Sequence, residues 1–178
     1  MKKTLLVMAL MLQTVLVMGA DKIVKAADKA ITFTGRTETL ADGSVRYDWI
    51  GVYMQTRFTG GYIAVEVAET GTSYHNIFID GRFVRKIKIT GKERQLITLA
   101  EKLGKGPHTL RLQKCTEGEY GCTTVSALHV ASGATLQAVA PRERLIEVYG
   151  DSYTCGYGTE GKSARERFRL DTENCDKA

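Results

Sequence analysis

The run Tyr149-Gly150-Asp151-Ser152-Tyr153-Thr154-Cys155-Gly156-Tyr157-Gly158 sets a serine among glycines directly after the apolar stretch Leu145-Ile146-Glu147-Val148-Tyr149. An aliphatic-rich stretch ended by a glycine-rich break predicts a buried strand, so Ser152 falls at a strand tip. Gly150, Gly156 and Gly158 let the backbone turn sharply, and the segment after them can open a helix whose unpaired amides favour negative charge. In that setting Ser152 is a candidate nucleophile, and its own amide a candidate oxyanion donor, for acyl transfer. A bare Gly-Asp-Ser is also an ordinary turn; the extended pattern with its preceding strand carries the catalytic reading. Asp151 reads as a partner that fixes the loop. Thr154 stands where the Gly-x-Ser-x-Gly elbow of common α/β-hydrolases needs glycine, so this is a different motif.

The region that must support this loop, residues 30–141, is written in short strands. Ile63, Val65 and Val67 share one face of a period-two run, as do Leu110 and Leu112. In Arg82-Phe83-Val84-Arg85-Lys86-Ile87-Lys88 apolar and basic residues nearly alternate, predicting a strand with one solvated face. Turn signals separate the runs at Ala41–Ser44, Gly60-Gly61, Asp80-Gly81, Gly91-Lys92 and Gly104–Pro107. The expected fold is mainly β: a β-sandwich or jelly roll of about 110 residues, enough to bury its own core. After the polar hinge Pro141–Arg144, residues 144–178 are expected to be the first strand and helix of an incomplete α/β domain, poorly anchored for want of partner elements. Trp49, Tyr53 and Tyr62 can stack on sugar rings, but Trp49 beside Ile50 and Gly51 reads as core.

Residues 1–20 carry Lys2-Lys3, an uncharged apolar run and a small-residue end. They are expected to form a secretory signal peptide cleaved near Ala20, leaving no stable membrane span and a secreted or periplasmic product. Without that leader the basic excess falls from +5 to +3, which does not argue for nucleic acid. Four cysteines in an exported chain suggest disulfides, Cys115 with Cys122 across a hairpin-like loop and Cys155 with Cys175. Zinc is the alternative, but there is no Cys-x-x-Cys spacing, and no metal or organic cofactor is implied.

Two blocks resemble known families. Leu145–Gly158 is similar to the nucleophile block of SGNH (GDSL-type) hydrolases. The region before it resembles the N-terminal β-sandwich of carbohydrate esterase family 2 through Phe33-Thr34-Gly35-Arg36, Trp49-Ile50-Gly51, Arg57-Phe58-Thr59-Gly60, Ile79-Asp80-Gly81 and His108-Thr109-Leu110-Arg111-Leu112. The resemblance implies a serine-dependent esterase that deacetylates plant-type polysaccharides such as xylan or glucomannan. It also implies a base and further oxyanion donors from later glycine, Gly-x-Asn and Asp-x-x-His blocks. No histidine follows Ser152. His75, His108 and His129 read as sheet residues, so only Ser152 carries over, and the 178-residue chain itself is expected to be inactive. The alternative is a non-catalytic secreted sandwich that binds carbohydrate. A general lipase or thioesterase would need a lipid-facing surface the sequence does not show.

Overall fold

A computed structural model describes residues 21–172, apart from 142, 145, 147 and 155; the expected leader, Cys155 and Cys175 lie outside the described residues. In chain order the strands are β1 (Lys22–Lys25), β2 (Thr32–Thr34), β3 (Glu38–Thr39), β4 (Val45–Tyr47), β5 (Tyr53–Thr59) and β6 (Ile63–Glu69). They continue with β7 (Thr72–Ile79), β8 (Arg82–Thr90), β9 (Gln95–Ala100), β10 (Pro107–Lys114), β11 (Thr123–Val130) and β12 (Leu136–Gln137). They form two antiparallel sheets, as expected of a sandwich. One runs β3-β4-β11-β6-β9 with β1 also on β11; the other runs β12-β5-β10-β7-β8 with β2 also on β5.

The alternating sequence dictates which faces meet. In β5, Met54, Thr56 and Phe58 are buried while Tyr53, Gln55 and Arg57 are less so, and in β10 the inward set is Leu110, Leu112 and Lys114. β6 has a neighbour on each side, and five of its seven residues are buried. Ile63, Val65 and Val67 meet Ile77, Leu110, Leu112 and Leu128 in one core in which each is fully buried. The β7–β8 hairpin turns on Asp80 (φ 53°) and Gly81 (φ 77°), two consecutive left-handed residues, the two-residue turn whose twist matches paired strands. The sandwich begins before residue 30, since β1 pairs with β11 from Lys22↔Val130 to Lys25↔Ala127. Its four residues are too few to show a period, so only the pairing reveals them.

One end of the core is polar. Lys114 closes β10 on the inward face, and its Nζ donates to Ser73 Oγ (2.7 Å), the Gly121 carbonyl (2.8 Å) and Thr123 Oγ1 (3.1 Å). Thr123 Oγ1 in turn donates to Glu69 Oε2 at 2.7 Å, and that oxygen lies 3.7 Å from the ammonium. Both charged side chains are fully enclosed. Burial pushes the Lys114 ammonium below the ordinary lysine range while Glu69 pulls it back. His75 lies in the same pocket, with Nε2 3.3 Å from the Tyr47 hydroxyl, and burial, aided by Lys114, pushes it down to about 3. It is therefore a neutral imidazole.

Removing one partner of a buried pair strands the other charge, at a cost of ~3–5 kcal/mol. Lys114→Met is expected to lower the unfolding free energy in urea by about that amount, and adding Glu69→Leu to recover part of it. A Lys114→Met midpoint equal to that of the parent protein would contradict this arrangement.

Candidate functional site

Past Arg144 the described residues form turns and the 3₁₀ helix Leu170–Thr172. The strand expected over 145–149 does not form at its described positions: Ile146, Val148 and Tyr149 are 85%, 71% and 89% exposed. A strand needs a neighbour for its backbone groups, and among the described residues none pairs with this segment.

The glycine-rich loop nevertheless has a definite shape. The Tyr153 amide donates to Asp151 Oδ1 (3.0 Å), so Asp151 shapes the loop. The Tyr157 amide donates to the Ser152 carbonyl (2.8 Å) and the Gly156 amide to the Tyr153 carbonyl (3.2 Å). A side chain at Gly150 would collide with Thr154 Oγ1, which explains a glycine there, and Gly156 and Gly158 take left-handed φ of 74° and 75°. Ser152 is exposed on this turn.

Contacts made by residues 157–171 correct the expectation of a poorly anchored tail. Lys86, expected from the sequence to belong to a solvated face, donates to Glu160 Oε2 (2.6 Å) and the Asp171 carbonyl (3.0 Å). Phe168 stacks against both Tyr120 and Tyr157, with ring centroids at 6.1 and 6.5 Å. No local signal in the sequence marks this pairing, because Lys86 and Glu160 are joined only by the fold.

Each histidine is engaged within the sandwich. His75 is sealed between the sheets, and His129 Nε2 lies 3.3 Å from Glu66 Oε2. His108 has both ring nitrogens occupied, Nδ1 by Asp80 Oδ2 (2.8 Å) and Nε2 by the Gly104 carbonyl (3.1 Å). Asp80 Oδ1 also accepts from the Thr109 amide (2.8 Å), and the Phe58 ring lies 5.7 Å from the imidazole. Three of the family-like fragments thus converge to lock the β7–β8 turn.

The structure departs from the sequence expectation at two further places. Trp49, expected in the core, is 55% exposed with the Arg36 guanidinium 5.8 Å from its ring. The β4–β5 connection sends Val52 into the core instead, at 3% exposure. Tyr53 and Tyr62 are half-buried. Cys115 and Cys122 are not bonded to each other: Cys115 Sγ donates to the Gln113 carbonyl (3.4 Å) and Cys122 Sγ to the Tyr47 carbonyl (3.6 Å). The loop between them is a crossover and not a hairpin, since β10 lies in one sheet and β11 in the other. Among the described residues no cluster of three His, Cys, Asp or Glu side chains is placed to hold a metal.

Comparison with known proteins assigns the two-sheet sandwich to a family. The profile described as Carbohydrate esterase 2 N-terminal matches residues 33–140, and the chain belongs to that family. It is 30% identical over 144 residues to Cellulase/esterase CelE of Acetivibrio thermocellus, covering 81% of this chain and 18% of that one. An acetylxylan esterase / glucomannan deacetylase of Cellvibrio japonicus is 28% identical over 140 residues, with 78% and 39% covered. The structure of a family two carbohydrate esterase from Clostridium thermocellum in complex with cellohexaose superposes with a TM-score of 0.75 at 28% identity, over 82% of this chain and 44% of that one. The chain therefore spans less than half the length of each of these relatives.

The His108–Asp80 contact gives a pH signature. Its hydrogen bond to Asp80 holds His108 above the ordinary 6.5, and the same bond holds Asp80 below 3.8. A raised histidine contributes stability that is fully present below about pH 6.5 and lost as pH rises through its folded pKa. A depressed aspartate contributes above its unfolded value, and that contribution is lost as pH falls through its folded one. Titration of the imidazole by NMR is expected to give a midpoint above 6.5 that falls in Asp80→Asn. A midpoint at or below 6.5 in the parent protein would contradict the contact.

Proposed function

We propose that this chain is the N-terminal part of an exported, serine-dependent carbohydrate esterase that removes acetyl groups from plant-type polysaccharides such as xylan or glucomannan. The observation that carries the reading is the family match over residues 33–140 followed by a turn that exposes Ser152 among Gly150, Asp151, Thr154, Gly156 and Gly158. Ser152 Oγ attacks the acetyl carbonyl, the bond from carbonyl carbon to sugar oxygen breaks, and the sugar hydroxyl leaves with the proton. Water then cleaves the acetyl-serine ester, releasing acetate. The base and the remaining oxyanion donors belong to glycine, asparagine and histidine blocks beyond these 178 residues. Export rests on the sequence of residues 1–20, with its Lys2-Lys3 start, apolar run and small-residue end.

A second reading, in which the sandwich itself binds carbohydrate, is favoured by one observation. Trp49 presents its ring to solvent beside Arg36, the apolar face and polar flank that sugar rings stack on.

One pair of assays separates the two. In the enzyme extended through a complete catalytic domain, Ser152→Ala is expected to cut hydrolysis of an aryl acetate or acetylated xylan by several orders of magnitude. The 178-residue polypeptide is expected to match its own Ser152→Ala control, since loss of even one oxyanion donor costs ~100 to 1000-fold. Retained activity in the extended Ser152→Ala enzyme overturns the esterase reading. Xylan binding by the 178-residue chain that is lost in Trp49→Ala establishes the second.

A further inference from the structure

The outer face of the β12-β5-β10-β7-β8 sheet should face water in an isolated sandwich. Along one cross-strand row it carries Gln113, Asn76 and Lys86, which are directly paired across β10, β7 and β8. Asn76 is nonetheless fully buried, and the side chains of Lys86 and Glu160 are only 18% and 17% exposed. An outward residue is buried only when something covers the face, and the segment after the nucleophile turn reaches this row at Lys86. The contact has two points. The Lys86 ammonium holds Glu160 and the Asp171 carbonyl, and the Tyr120 ring meets Phe168. Burial holds the Tyr120 hydroxyl above the ordinary tyrosine range, and hydrogen bonds shared with Glu119 and Tyr157 add to the effect. Tyr157 is the residue whose amide donates to the Ser152 carbonyl at 2.8 Å.

From this we infer that Lys86 and Tyr120 are positioning residues for the Ser152 turn. The sandwich clamps residues 156–172 at two points and thereby fixes the nucleophile one hydrogen bond away. The β-domain is then a structural part of the catalytic unit and not an appended module. The catalytic half of this inference rests on Ser152 being the nucleophile; the clamp itself does not.

The clamp explains features that neither the core nor the chemistry requires. Tyr120 sits in the 3₁₀ helix Gly118–Tyr120, which the crossover between the sheets carries out to this end. Its carbonyl lies so close to Gly71 that a side chain there would collide with it. The Gly121 carbonyl beside it is bound by Lys114 Nζ. Tyr120 is thus attached to the buried Lys114 cluster, the kind of packed support a positioning group needs. Lys86 lies on a hairpin strand of nine residues paired along its length with β7.

Hydrogen exchange of the 178-residue chain, read by mass spectrometry, tests the clamp. In Lys86→Met, and in Glu160→Gln, which leaves the sandwich untouched, exchange over residues 150–172 is expected to rise roughly tenfold or more, because charge-assisted hydrogen bonds are lost. Strand peptides and the thermal midpoint are expected to stay as in the parent. Charge reversal of both, Lys86→Glu with Glu160→Lys, is expected to restore only part of the protection, since a carboxylate cannot donate to the Asp171 carbonyl. Unchanged exchange in both single variants, or no recovery in the reversed pair, overturns the clamp. In the extended enzyme, Lys86→Met is expected to lower kcat about tenfold with KM within about twofold, and the reversed pair to recover part of the loss. A rise in KM with kcat intact overturns the positioning role. Should Ser152→Ala leave that enzyme active, the nucleophile reading fails while the exchange result still decides the clamp.

Discussion

A lysine ammonium shut between two β-sheets must be surrounded by oxygen, and that requirement organises one end of this molecule. Its desolvation costs several kcal/mol, repaid only where hydrogen bonds and a counter-charge are held in good geometry. Ser73 comes from β7, Thr123 from β11, Glu69 from β6 and the Gly121 carbonyl from the crossover, so four separate pieces of chain are fixed by one charged group. The Gly71 amide also donates to Glu69 Oε1 at 3.3 Å, tying the β6–β7 turn to the same point. The crossover held in this way is the one that presents Tyr120.

The two ends of β5 mark a division of labour. At one end Phe58, Asp80 and His108 lock a hairpin turn, which is a matter of stability. At the other, Trp49 and Arg36 stand exposed beside the start of β5. The buried charge and the tail contact belong to this second end, where the crossover leaves the sandwich. Family-like fragments contribute to both, so resemblance in sequence does not by itself separate residues that hold the fold from residues that face a ligand.

Much of this is legible in the sequence. The period-two runs are strands with the expected faces, and Asp80-Gly81 is the hairpin turn its residue types demand. The buried polar cluster also has a sequence signal, one that the expectations above do not use. Lys114 continues the inward stripe of Leu110 and Leu112, Glu69 that of Ile63, Val65 and Val67, and His75 that of Ile77 and Ile79. A polar residue that extends an apolar period-two stripe is a buried one. Other features are closed to local reasoning. Leu145–Tyr149 has the composition of a strand, but pairing depends on a neighbour. The Cys115–Cys122 loop is short enough for a hairpin, but sheet membership decides otherwise. The contact of Lys86 with Glu160 joins residues 74 positions apart.

If Ser152 is the group that accepts the acetyl unit from the polysaccharide, an acyl-enzyme is the species unique to that role. The direct measurement is mass mapping of the extended enzyme quenched in acid during turnover of an aryl acetate. The expected result is one added acetyl on the peptide containing Ser152, chased off when substrate is exhausted. Full turnover with no acetyl on that peptide, or acetyl carried by another residue, would contradict it.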